Sequence, residues 1–269
     1  MATDATASSV RQTAIAQLAG KRIGERLQKD LDANRFMLFS QAIVPLTRTE
    51  RGSTYREILI RFKDEETNMQ SPGMFLPLLE EQGLMPLLDR WVVSRVLQWL
   101  RESGEAAENP KAHVCSINLS GDTMRNAAFA EHVAREIRAS AVPAPCLSFE
   151  IPIADAIADS TSLPTLMKTL RNAGCTFALS GFTGSNAGFD LASRLGFTIV
   201  KLDGSMLDGV AADVQRQGKL DTVTRRCQRV GLRTVAMQVE SEATLEALRA
   251  IQVDYVQGFG IERPHKLEF

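Results

Sequence analysis

Six apolar runs of about five residues alternate with stretches of helical periodicity between Val114 and Gln257. The runs are Val114–Asn118, Cys146–Glu150, Cys175–Leu179, Phe197–Lys201, Leu232–Ala236 and Val253–Gln257. Helical patterns fill 127–139, 163–173, 189–195, 214–230 and 241–250 between them. Strands and helices in this alternation imply βα units and a largely parallel sheet. Two further strands precede them, Phe36–Val44 and Thr54–Phe62. A short, mostly polar stretch separates these two, so they read as an antiparallel pair. Eight strands in 269 residues is the size of a (β/α)8 barrel. The expected fold class is therefore α/β, a modified TIM barrel with one antiparallel strand. A doubly wound open sheet is the alternative, but no GxGxxG turn follows any strand.

Helices are also expected over 72–82, opened by Pro72, and over 87–102, with a charged loop at 63–71. The chain divides into a tail and lead-in helix, residues 1–30, and one domain, residues 31–269. The lead-in pattern carries Ile15, Leu18, Ile23, Leu27 and Leu31. It is either a helix capping the bottom of the fold or a connector from an upstream domain of a longer parent.

Composition removes several classes. The net charge of -1 offers no surface for bulk nucleic-acid binding. No apolar run reaches the roughly 18 residues of a membrane span. The N-terminus lacks the basic start and apolar core of a signal peptide, so the expected location is the cytoplasm. Four cysteines without CxxC spacing read as reduced core thiols, and three histidines show no ligand spacing.

The Thr54–Phe62 strand places Tyr55, Glu57, Leu59 and Arg61 on one face and Arg56, Ile58, Ile60 and Phe62 on the other. Taken alone, it could be an edge strand with a solvated charged face. The later strands argue otherwise, because several stay apolar until a polar end: Asn118, Glu150, Lys201 with Asp203, and Gln257. Any single polar strand end reads first as a cap or turn residue. Parallel strands of a barrel deliver these ends to one mouth, so together with Glu57 and Arg61 they read as a shared polar site.

These motifs resemble those of EAL domains, the cyclic di-GMP phosphodiesterase family. Glu57-Ile58-Leu59-Ile60-Arg61 is similar to the family signature Glu-Ala-Leu-Leu-Arg. Ser40-Gln41-Ala42-Ile43, Asn118-Leu119-Ser120, Phe149-Glu150-Ile151, Val200-Lys201-Leu202-Asp203 and Gln257-Gly258-Phe259 with Pro264 follow family motifs in the same order. The resemblance runs from about Leu31 to Phe269 and implies the modified barrel.

It also implies a ligand, cyclic di-GMP, held by Gln41, Glu57, Leu59, Arg61, Asp89, Asn118, Glu150, Lys201, Gln257, Phe259, Ile261, Glu262 and Pro264. Arg61 is expected to fork onto a phosphate, Leu59 to pack beneath a base, Ile261 to form a base platform and Glu262 to accept from a guanine edge. Active members hold two Mg or Mn ions. Here Ser180 and Gly181 stand in place of an aspartate pair, and Met237 in place of a glutamate. Those degenerate positions imply no metal cofactor and a chain that is not an enzyme. The resemblance narrows to FimX-type domains, which implies a metal-independent receptor and a PilZ-type protein partner of the type IV pilus machinery. A weakly active phosphodiesterase and a ligand-free scaffold are the alternatives. The glycine-rich stretch 180–188 lacks the lysine of a P-loop and reads as a loop.

Overall fold

The computed structural model describes residues 24–46, 54–64, 68–104, 113–159 and 161–269. Residues 24–32 are helical, and the part of the lead-in pattern before Gly24 lies outside the described residues. Strands β1 (Phe36–Pro45) and β2 (Thr54–Lys63) pair antiparallel, with Gln41 opposite Glu57. A two-residue strand, β3 (Met69–Gln70), continues the sheet outside β2. Then follow β4 (His113–Asn118), β5 (Leu147–Pro152), β6 (Thr176–Phe182), β7 (Ile199–Leu202), β8 (Arg233–Ala236) and β9 (Tyr255–Val256). A short β10 (His265–Lys266) pairs with β1.

The sheet closes because β1 pairs with β2 on one side and β9 on the other. Eight strands thus form the barrel, and β1 alone runs against its neighbours, as expected from the alternation. β2 lies between β1 and β4, so the edge-strand reading of Glu57 and Arg61 is corrected. The expected charged loop at 63–71 contains β3. The expected loop at 180–188 is also corrected, since Ser180, Gly181 and Phe182 belong to β6 and Asn186 opens a helix.

Two layers of packing hold the mouth in place. The helices cover the barrel with buried Val93, Val96, Phe129, Val133, Leu163 and Leu248 against Ile117, Phe149, Leu179 and Val200. Burying a side chain of this size contributes about 1.5–3 kcal/mol. Inside, Ile43, Tyr55, Val235 and Tyr255 fill the barrel interior. The loops after the strands are fixed by local caps. Ser120 accepts from Thr123 N–H, Ser185 from Gly188 N–H and Ser241 from Thr244 N–H. Such caps are typically worth about 1 kcal/mol each.

Candidate functional site

β2 supplies the centre of the site. Its inward face buries Glu57, and its outward face packs Ile58 and Ile60 into the layer beneath the helices. The other strand ends converge on Glu57. Asn118 Nδ2 donates to Glu57 Oε1 at 2.9 Å. Lys201 Nζ donates to Glu57 Oε2 at 2.8 Å, and Gln257 Nε2 to the same oxygen at 2.9 Å. Gln257 Nε2 also donates to Gln41 Oε1 at 3.0 Å. Lys201 pairs in addition with Glu150 Oε2, which Ser116 Oγ meets at 3.5 Å. Six of the residues expected at the mouth therefore form one network: Gln41, Glu57, Asn118, Glu150, Lys201 and Gln257.

The network sets the charges. Lys201 is 1% exposed. Burial opposes its charge, but Glu150 and Glu57 outweigh that and raise its pKa above the ordinary lysine value. Burial also opposes ionisation of Glu57, yet Lys201, Asn118 and Gln257 hold its pKa below the usual carboxylate range. Glu150 has fewer donors and lies beside ionised Glu57, so burial prevails and its pKa is raised. The stable arrangement is an ionised Glu57, a charged Lys201 and a Glu150 that gains protons more readily.

Around this network lie two cavities that meet at Leu59. One, of about 350 Å³, is lined by Gln41, Leu59, Arg61, Met237, Gln238, Glu240, Gln257, Gly258, Phe259 and Pro264. The other, of about 300 Å³, runs beneath the Pro72–Glu81 helix and is lined by Leu59, Pro72, Leu76, Asp89, Asn118, Leu119, Ser120 and Pro152, among others. Arg61 stands over the Phe39 ring and donates to the Ile60 carbonyl. Phe259 is 56% exposed and stacks near the Arg263 guanidinium. The wall opposite is set by Gly258, where a side chain would collide with the Val239 backbone at 2.2 Å.

Other expected residues are placed differently. Asp89 is buried, and its Oδ2 accepts from Ser120 N, Ser120 Oγ and Thr123 Oγ1 at 3.2, 2.9 and 2.5 Å. It thereby anchors the turn after β4 as well as lining the second cavity. Ile261 is partly buried, packed against the core. The Glu262 carboxylate accepts from Ala42 N at 3.0 Å and lies 3.3 Å from His265 Nδ1, so it braces the rim. Its carbonyl accepts from Gln41 Nε2 at 2.8 Å. Asp203 does not join the mouth; it caps a 3-10 turn through Ser205. Gln238, Glu240 and Ser116 carry no strand-end pattern in the sequence, and Ser120 is marked there only as the last residue of the Asn118-Leu119-Ser120 motif.

A sequence profile described as the EAL domain matches residues 24–264, and the chain belongs to that family. It is similar to the cyclic di-GMP phosphodiesterase PdeF of Escherichia coli K12, 30% identical over 90% of this chain and 32% of the relative. PdeB of Shewanella oneidensis, also named a cyclic di-GMP phosphodiesterase, is 27% identical over 90% of this chain and 28% of its own length. The chain therefore spans about a third of the length of these curated relatives. The FimX EAL domain of Pseudomonas aeruginosa, solved bound to c-di-GMP, superposes with a TM-score of 0.81 at 25% identity, covering 88% of this chain and 94% of that one. The expectation that the chain is not an enzyme is corrected by these relatives, which are named as phosphodiesterases.

The family's paired divalent ions can be tested against the side chains present. Two ions about 3.5–4 Å apart need bridging carboxylates to offset their repulsion. Among the described residues no cluster of three or more His, Cys, Asp or Glu forms. Glu57 and Glu150 are the carboxylates at the mouth centre, and the Lys201 ammonium pairs with both. Ser180, Gly181 and Met237 add no carboxylate. This donor set does not fit a two-metal pair. No helix among the described residues is long and apolar enough to cross a membrane.

Proposed function

We propose that the chain binds cyclic di-GMP across the barrel mouth without a divalent ion, and that occupancy is read by a protein partner in the cytoplasm. The observation that carries this reading is the pair of cavities on either side of Leu59, with Arg61 on one wall. A cyclic dinucleotide has two bases and two phosphates. Two pockets joined over an apolar side chain suit the bases, and Arg61 suits a phosphate, for which a guanidinium offers paired donors. Lys201 supports the same reading, since it offsets carboxylate charge that would otherwise repel the phosphates. The structure of the Pseudomonas aeruginosa FimX EAL domain with its dinucleotide adds support from a related chain. A PilZ-type protein is the partner suggested by the resemblance of the Glu57–Arg61 motif to FimX-type domains.

Arg61→Ala tests the assignment. Loss of a charged hydrogen bond to phosphate is expected to weaken binding by ~1.5–3 kcal/mol, about ten- to a hundredfold in Kd. Titration of the two proteins with cyclic di-GMP measures it, and equal affinities would move the phosphates elsewhere.

Hydrolysis of the bound dinucleotide is a second reading, favoured by the relatives named phosphodiesterases and by the Glu57–Lys201–Glu150 constellation. On that reading, linear dinucleotide accumulates with excess Mg or Mn, and Glu57→Gln abolishes it. Chromatography of the reaction mixture separates the two readings, because binding alone leaves the cyclic compound intact.

A further inference from the structure

His265 stands between a buried hydroxyl and a carboxylate at the rim. It lies on β10 directly opposite Ser40 of β1. Its Nε2 is 3.1 Å from Ser40 Oγ, and its Nδ1 is 3.3 Å from Glu262 Oε1. An ionised carboxylate only accepts, so beside charged Glu262 the ring proton sits on Nδ1. In the neutral ring Nε2 is then the acceptor, and the Ser40 hydroxyl donates to it. Serine, imidazole and carboxylate in a row also make a hydrolytic triad, but Ser40 is 0% exposed and no substrate can reach it. The row serves its other end, Glu262. An ion pair as exposed as His265 and Glu262 adds little by itself. This one is anchored on both sides. Ala42 N donates to the same Oε1 at 3.0 Å, and Gln41 Nε2 donates to the Glu262 carbonyl at 2.8 Å. Behind it, buried Leu267 pins the strand through its N–H, which donates to the Leu38 carbonyl at 2.9 Å.

We propose that His265 is the positioning residue for Glu262: together with Ala42 N it occupies Oε1 and fixes the carboxylate, so that Oε2 is left to read a base at the rim. Among the described residues, no hydrogen bond reaches Oε2. Gln41 and Pro264, which flank Glu262 in space and in sequence, both line the cavity of about 350 Å³. A fixed acceptor there suits guanine, which offers ring N–H and amino donors side by side. Adenine offers its ring nitrogen as an acceptor and is opposed by a carboxylate. Without His265 the carboxylate keeps a single donor on Oε1 and has to be ordered when the base arrives, which weakens binding. The inference rests on the dinucleotide reading and adds the residue through which the mouth discriminates its base.

Titration with cyclic di-GMP tests it, using wild type, His265→Leu, His265→Asn, Glu262→Ala and the double variant of His265→Leu with Glu262→Ala. His265→Leu is expected to weaken binding about five- to tenfold. His265→Asn places its amide nitrogen where Nδ1 was and is expected to stay within about twofold of wild type. Adding His265→Leu to Glu262→Ala should cost nothing further, because a positioning residue acts only through its partner. Affinity for cyclic di-AMP, whose bases lack the paired donors, should not change with His265→Leu. A ligand-free readout accompanies these: nitrogen NMR of wild type in alkaline buffer is expected to show His265 as the Nδ1–H tautomer. Wild-type affinity in His265→Leu, an equal loss in His265→Asn, a full additional loss in the double variant, an equal loss for cyclic di-AMP, or an Nε2–H tautomer would each overturn the proposal. Wild type that binds no cyclic di-GMP would instead overturn the dinucleotide reading beneath it.

Discussion

Lys201→Met is expected to lower the free energy of unfolding by ~3–5 kcal/mol in EDTA, the range for removing one partner of a buried ion pair. The ammonium is nearly inaccessible and bonds two carboxylates from β2 and β5. Methionine has the length to fill the space, so the loss is electrostatic and not a packing defect. It leaves Glu57 and Glu150 facing each other in a low-dielectric interior. Glu150, whose pKa burial already raises, is the one expected to take up a proton. The destabilisation should therefore grow as pH rises and that proton is lost. Urea unfolding with an unchanged m-value would measure it. A loss below about 1 kcal/mol would mean that the ion pair contributes little beyond what a hydrophobic residue supplies.

The pH dependence of stability should carry a clear component from Asp89. Burial lifts its pKa to about 6, against the hydrogen bonds from Thr123 and Ser120, and no cation compensates it. An unfolded aspartate titrates near about 3.9. The folded state therefore binds the extra proton between these values. The stabilisation from that proton is complete below about pH 3.9 and is lost as pH rises through about 6. The difference of about two pKa units corresponds to ~3 kcal/mol. Other carboxylates impose slopes of their own, so the comparison with Asp89→Asn isolates this one. The amide keeps an acceptor for the Ser120 and Thr123 donors and does not titrate. The stability of Asp89→Asn relative to wild type is expected to rise by ~3 kcal/mol between about pH 4 and 7. A difference that stays flat across that interval would show that Asp89 is not held near a pKa of 6.

The barrel was legible because its signals are local. Strand–helix alternation from β4 to β9 marks βα units, and the polar residues between β1 and β2 mark the antiparallel pair that closes the ring. The mouth was legible because Asn118, Glu150, Lys201 and Gln257 each interrupt an apolar run at its end, and barrel topology brings such ends together. The same signal misled at Asp203, where a strand-end carboxylate only caps the next turn. What could not be read depends on contacts between distant segments. Asp89 and Ser120 are 31 positions apart, and nothing in either segment announces their bond. Glu262 is drawn to Ala42 because β10 pairs with β1, and two residues are too few to register as a strand. Near Ser180 the glycines suggest a loop, but pairing with β5 keeps Ser180 in β6.

Isothermal titration of cyclic di-GMP into the protein in EDTA tests the central claim most directly. The account predicts a saturable isotherm at one dinucleotide per chain, with an affinity that changes by less than about threefold when Mg replaces EDTA. Flat heats in EDTA that become a binding curve only on adding Mg would contradict it.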